Sequence, residues 1–154
     1  MEYYQRTKDY ADSDPSIHLL SNLDGIGNVE VNAFQSVATV VLQKSLREGF
    51  GLTVSEGLWK HKPVIGGNVG GIPLQIENGK SGFLVSTIEE CVDRALTLIH
   101  NPSLAFQMGA HGKEEVRQKF LTTANLRNYL RLFSDLAGRE LRPDDQPILL
   151  GRTG

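Results

Sequence analysis

The chain has 154 residues, 40% of them apolar, and a formal net charge of −2. That suffices for one domain with a single core and is too little for two sizeable ones; with no Lys/Arg cluster, nucleic acid is excluded as an expected partner. No apolar run reaches the roughly 20 residues that span a bilayer, and the N-terminus MEYYQRTKDY lacks the basic-then-apolar order of a signal peptide, so no membrane partner and a cytoplasmic location are expected.

In chain order, residues 1–10 read as the tail of a surface helix that ends before Asp12. Pro15 closes a loop, and residues 17–20 form a short apolar run that predicts a strand. Turn chemistry at 21–27 (SNLDGIG) precedes a predicted helix over 28–37. Residues 39–43 (TVVLQ) are β-branched and apolar, fit for a strand buried on both faces. Then come a Gly-Phe-Gly turn, a helix over about 52–61, and a strand over 63–66 that starts on Pro63, where a missing ladder donor costs nothing. The loop 68–72 (NVGGI), a helical turn at 73–77 and a strand over 82–85 follow.

The rest reads as helical. Ile88, Val92, Ala95, Leu96 and Ile99 recur at amphipathic spacing until Asn101-Pro102 ends that element. A second helix runs from Pro102 to about Phe120, interrupted or bent near Gly109 and Gly112. The last spans 123–136, with Leu126, Tyr129, Leu130 and Phe133 on one side as expected core. Residues 138–154 have no periodicity and read as a mobile tail, leaving 1–137 as the folded domain.

The segment with chemical content is 47–56, REGFGLTVSE, in which Glu48 and Glu56 flank the glycine turn with seven residues between them. Gly49 and Gly51 let the chain turn tightly and let a ligand approach the main chain. The first turn of the helix that follows has free N–H groups and a partial positive charge, a natural seat for a diphosphate. Taken alone, Glu56 is an ordinary acid near a helix start, favoured by the macrodipole.

Together with residues 62–85, KPVIGGNVGGIPLQIENGKSGFLV, this segment resembles the donor-binding half of retaining glycosyltransferases of the GT-B fold, glycosyltransferase group 1 or family 4. Within that family the likeness is to glycosyltransferring trehalose synthases and trehalose phosphorylases; it spans about 17–136, with its specific core at 45–85. The resemblance implies an α/β, Rossmann-like three-layer domain with a mainly parallel sheet, the C-terminal half of a GT-B fold, with the first two βα units missing. It implies that Glu48 contacts the donor sugar as the catalytic-site acid. Main-chain N–H groups of Gly49, Phe50, Gly51, Leu52 and Thr53 would hold sugar oxygens and the diphosphate, Gly70 and Gly71 would lie beside them, and Glu56 would hold the ribose. A carboxylate accepting two vicinal hydroxyls makes charge-assisted hydrogen bonds, stronger than neutral ones.

The implied donor is a nucleotide sugar such as UDP-glucose or ADP-glucose, with no metal required and no other cofactor. The implied chemistry releases the nucleotide diphosphate on the face where the acceptor hydroxyl enters, with retention at the anomeric carbon. The arginine and lysine that clamp the leaving phosphates in the family belong to the absent βα units. Lys44 and Arg47 neighbour the motif without occupying those positions. An N-terminal domain carrying the acceptor pocket is a further implied partner, and unpaired strand edges invite self-association. A trehalose phosphorylase fragment and a non-catalytic binding domain derived from a glycosyltransferase stand as alternative readings.

Other signals are weaker. Asp12-Ser13-Asp14 spells a metal-binding Asp-x-Asp pattern but reads as solvated turn chemistry before Pro15. Gly25-Ile26-Gly27 lacks the third glycine of a dinucleotide fingerprint, with Glu30 in its place. Trp59 reads as helix-to-sheet packing rather than a base-stacking platform, and Cys91 as a buried, inert thiol in an apolar stripe. The four histidines show no ligand spacing, so no zinc site is expected.

Overall fold

The computed structural model describes residues 2–138, and the expected tail at 139–154 lies outside them. The chain divides into two units at Val37/Ala38. Among the described residues no helix is long and apolar enough to cross a membrane.

The first unit holds helix α1 (Glu2–Asp12), a 3-10 turn (Asn22–Asp24) and helix α2 (Asn28–Val37). Asp14 accepts the Ser16 N–H at 2.9 Å and the Ser13 hydroxyl donates to the Tyr10 carbonyl, so the Asp-Ser-Asp segment is turn chemistry, as expected. Residues 17–20 form no strand, which corrects the sequence reading. A strand exists only by pairing, and this run has no ladder partner among the described residues. The 3-10 turn closes with a reciprocal cap: Ser21 Oγ accepts from Leu23 N–H, and Asp24 accepts the Ser21 N–H at 2.9 Å. Glu30, the residue that interrupts the glycine fingerprint, reaches back from the first turn of α2 to accept the Gly27 N–H at 2.8 Å. This bond holds its carboxyl below the usual range. A carboxylate of the chain itself thus sits where a bound phosphate would compete for the α2 N-terminus.

The second unit is a three-stranded parallel sheet in the order β1 (Val41–Gln43), β2 (Val64–Gly67), β3 (Gly82–Val85). Val41 pairs with Val64 and Ile65 with Phe83. Helix α3 (Leu52–Trp59) makes the crossover from β1 to β2; a 3-10 turn (Ile72–Leu74) lies between β2 and β3, and α4 (Ile88–His100), α5 (Pro102–Lys119) and α6 (Thr122–Leu136) follow. Adjacent residues of β2 face opposite layers. Val64 joins Val41, Val54, Leu58, Ile72, Ile76 and Val116, whereas Ile65 joins Val85, Leu98, Ala105 and Met108. This is the expected three-layer α/β arrangement, and burying a side chain such as Leu58 contributes about 2 kcal/mol. β2 is buried along its whole length, and its glycines admit close neighbours: a Cβ on Gly66 would lie 2.5 Å from Ile72 Cγ2.

The helix starts follow from local sequence. Thr87 and Glu90 form a capping box on α4, and Asn101 Oδ1 accepts the Leu104 N–H at 3.0 Å while Pro102 opens α5.

Several expectations change. Strand β1 begins at Val41, and Leu42 is half exposed on a strand that has a ladder partner on one side only among the described residues. Helix α5 runs unbroken through Gly109 and Gly112; these glycines serve close approach, since a Cβ on Gly112 would meet Leu58 Cδ2 at 2.5 Å. On α4 the inward residues are Cys91, Ala95 and Leu98, while Ile88, Val92, Leu96 and Ile99 face outward. Cys91 is accordingly only partly buried. The α6 stripe is not core: Leu126, Tyr129, Leu130 and Phe133 are each more than half exposed, and Ala124 is the buried position on that helix. Periodicity reports a face and not its partner. Trp59, also partly exposed, lies beneath the Lys113 ammonium of α5, 5.3 Å from the ring centre.

Candidate functional site

The loops that leave the carboxyl ends of β1 and β2 run side by side, the place where open parallel sheets bind ligands. Their contact is made by main chain. Gly71 N–H donates to the Gly49 carbonyl at 2.7 Å, and a Cβ on Gly70 would lie 1.8 Å from the Glu48 carbonyl oxygen. Lower down, a Cβ on Gly67 would meet the Ser45 carbonyl at 2.6 Å. Each glycine is required because another backbone occupies the space of its side chain.

Glu48 is fixed at this junction. Its Oε2 accepts from Gln43 Nε2 at 3.1 Å and Ser45 Oγ at 3.2 Å, and its Oε1 accepts the Gly49 N–H at 3.0 Å. Gln43 Nε2 also donates to Ser45 Oγ at 2.8 Å, so three side chains brace one another before the turn. Gly51 then takes a left-handed conformation, φ 83°, as the N-cap of α3, and no side chain caps that helix. The contrast with the self-capped α2 is direct. Phe50 packs edge-on against Phe120 with ring centres 5.7 Å apart.

The structure therefore brings Glu48, Gly49, Phe50, Gly51, Gly70 and Gly71 together. Leu52 and Thr53 form the first turn of α3; Leu52 is exposed and Thr53 half-buried. Glu56 lies one turn further along the exposed face that carries Leu52 and Trp59, opposite the buried Val54, Gly57 and Leu58. Lys44 Nζ donates to the Ser86 carbonyl at 3.5 Å, and Arg47 is exposed.

Sequence reasoning missed Gln75. It is 2% exposed; its Nε2 donates to the Phe50 carbonyl and, at 3.5 Å, to the Gly51 carbonyl, and its Oε1 accepts from Ser55 Oγ. The available signal was one polar residue inside the apolar run IPLQI. Also missed was a trio built from two segments: His111 Nε2 lies 2.9 Å from Glu77 Oε2, and the ligand atoms of Glu77, His111 and Glu115 fall within 4.8 Å of one another. His111 and Glu115 are spaced i,i+4 on α5, the signal that counting histidines overlooked. Lys80 pairs with Glu77 and Lys119 with Glu115. Lys80 first, and then His111, hold the Glu77 carboxyl below its ordinary range. The His111–Glu77 contact joins α5 to the loop before β3, while Glu115 pairs along its own helix.

Neither of two hollows on the second unit touches the glycine turn. One of about 380 Å³ is lined by 73–78 with Glu115 and Lys119, and one of about 290 Å³ by Asn78, Phe83, Glu90 and Arg94 among others. At the junction Gly49, Phe50 and Gly70 are exposed and Glu48 is half-buried.

Comparison with known proteins adds three findings. The profile of the family described as Glycosyl transferases group 1 matches residues 15–115. The chain is 53% identical over 137 residues to the trehalose synthase of Rubrobacter xylanophilus, covering 89% of this chain and 33% of that protein; it thus spans about a third of the length of such curated relatives. Among solved structures, Staphylococcus aureus TarM, in a complex that includes UDP, matches 69% of this chain and 22% of its own, with a TM-score of 0.61 and 27% identity. The C-terminal domain of the Francisella tularensis group 1 family protein LpcC matches in fold over 79% of this chain and 64% of its own, with a TM-score of 0.65 and 19% identity.

Proposed function

Given that the chain belongs to the group 1 glycosyl transferases, we propose that it is the donor-binding portion of a retaining glucosyltransferase, one that makes trehalose from an NDP-glucose and glucose in the cytoplasm. The observation that carries this reading is the junction itself: a braced carboxylate, Glu48, beside a glycine turn that opens into an uncapped helix, stitched by main chain to a second glycine loop. Glu48 takes the donor sugar hydroxyls. The N–H groups of Gly49 through Thr53, with Gly70 and Gly71 alongside, take the sugar and diphosphate oxygens, and Glu56 takes the ribose. The identity to a trehalose synthase and the UDP bound by TarM support the substrate class.

In the transfer step, negative charge grows on the departing diphosphate. The α3 N-terminus stabilises it without a metal, and the leaving oxygen helps deprotonate the acceptor hydroxyl that enters on the same face. A second lobe supplies the acceptor pocket and further cations. Gly49 and Phe50 at the turn are exposed, which favours a second reading for the chain by itself, one that binds donor and does not turn it over. Incubation of the purified chain with UDP-glucose and glucose should yield no trehalose; measurable disaccharide would refute this.

Calorimetric titration with UDP, ADP and GDP tests the donor reading. Binding of at least one nucleotide is expected. Glu56→Ala should weaken it about tenfold to a hundredfold, the equivalent of the ~1.5–3 kcal/mol carried by hydrogen bonds to a charged group. Unchanged affinity in Glu56→Ala, with tight binding of phosphate or glucose 1-phosphate, would instead indicate the trehalose phosphorylase reading, where no ribose needs holding.

A further inference from the structure

The side chains that touch a ligand at this junction are few, because most of it is main chain. Its geometry must therefore be set from behind. We propose that Gln75 is the positioning residue of the diphosphate seat, an inference that rests on the donor reading above.

Gln75 follows the 3-10 turn Ile72–Leu74, on the segment that continues the Gly70-Gly71 loop, and its side chain enters the space under the glycine turn. Both ends of its amide are used. Nε2 donates to the carbonyls of Phe50 and Gly51, and Oε1 accepts from Ser55 in the first turns of α3. One planar group thus connects the second glycine loop, the last two residues before α3, and α3 itself. Holding the Phe50 and Gly51 carbonyls inward fixes the peptide planes of 50–51 and 51–52. In a planar trans peptide the N–H of the next residue points opposite to the carbonyl. The Gly51 and Leu52 N–H groups are thereby aimed away from Gln75, toward the exposed side of the turn. Gly51 has no side chain to supply a cap; its carbonyl also accepts the Val54 N–H at 3.0 Å, so the carbonyl that depends on Gln75 most directly is that of Phe50. A buried glutamine is costly unless its donors and acceptor are matched. Here every polar atom is matched by the element it positions.

Two readouts on the same chain test this. In ligand-free protein, Gln75→Leu should speed amide exchange of Val54, whose N–H is bonded to the Gly51 carbonyl that Gln75 also holds, at least tenfold while Leu58, deeper in α3, keeps its protection. In titrations, Gln75→Leu should weaken UDP at least tenfold and UMP less than threefold, because the lost geometry serves the second phosphate. Gln75→Glu keeps the Ser55 contact but sets a carboxylate against two carbonyls, and should be as impaired as Gln75→Leu. If Gln75→Leu fails to fold, Ser55→Ala, which frees only Oε1, should show the same UDP-selective loss at threefold or more. Equal losses for UDP and UMP, or UDP binding like wild type in a folded variant, overturn the inference. Wild-type chain that ignores UDP overturns the donor reading, and this inference with it.

Discussion

Gly109→Ala is expected to lower the unfolding free energy by about 2–3 kcal/mol, at the upper end for inserting one methyl group into a packed interior. The new Cβ would lie 2.1 Å from the His61 carbonyl oxygen and 2.6 Å from its carbonyl carbon. Neither side can yield cheaply. His61 is the one non-glycine residue among the described residues with positive φ, 65°, and its turn is tied by His61 N–H to the Leu58 carbonyl at 2.9 Å and Lys62 N–H to the Gly57 carbonyl at 3.1 Å. On the other side, α5 is anchored into both core layers by Met108 and Val116. Alanine gains about 1 kcal/mol in helix propensity over glycine, which offsets part of the clash and is included in the figure. Urea unfolding of the variant should show a lower midpoint at unchanged slope. A midpoint equal to or above wild type would mean that α5 stands further from the turn than the packing of Gly109 and Gly112 requires.

Gly70→Ala should have the largest effect on ligand binding, abolishing detectable nucleotide affinity at millimolar concentration. Its φ of 56° costs a non-glycine residue about 1–2 kcal/mol, but the space matters more. A methyl group 1.8 Å from the Glu48 carbonyl oxygen and 3.2 Å from that of Gly49 forces the two loops apart, with loss of the Gly71-to-Gly49 hydrogen bond. Gly79 provides the control. Its φ is 82°, yet a Cβ there meets nothing within 4 Å. Gly79→Ala should pay the backbone strain, visible as a small drop in thermal midpoint, and leave nucleotide titrations unchanged. If both variants bind alike, the contact between the loops does not set the site.

How far the sequence could be read depended on the range of the force involved. Helix α2, strand β3 and the α4–α5 boundary were legible because their signals are local: capping residues, Asn101-Pro102, and short apolar runs between turns. The Glu48 turn was legible for the same reason, since its glycines and its following helix lie within ten residues. What stayed hidden depends on neighbours. Residues 17–20 look like a strand but have no ladder to join among the described residues. The α4 and α6 stripes have the spacing of core faces while Leu96 and Phe133 remain about half exposed. Gln75 and the Glu77–His111 contact join segments 20 to 34 positions apart, a distance no periodicity reports. The glycines at 109 and 112 looked like breaks because a sequence shows the missing side chain and not what occupies its place.

The burial of β2 on both sides carries one more consequence. Val64 and Ile65 are interchangeable in polarity, so apolar patterning gives this strand no preference for one alignment over an alignment shifted by a single residue. Sterics supply what hydrophobicity omits. A slip that carried Ile65 into the place of Gly66 would drive a branched side chain into Ile72, where even a methyl group lies too close. The two glycines of VIGG thus act as a ratchet pawl for the sheet, and folding errors of one step are rejected by collision rather than by exposure.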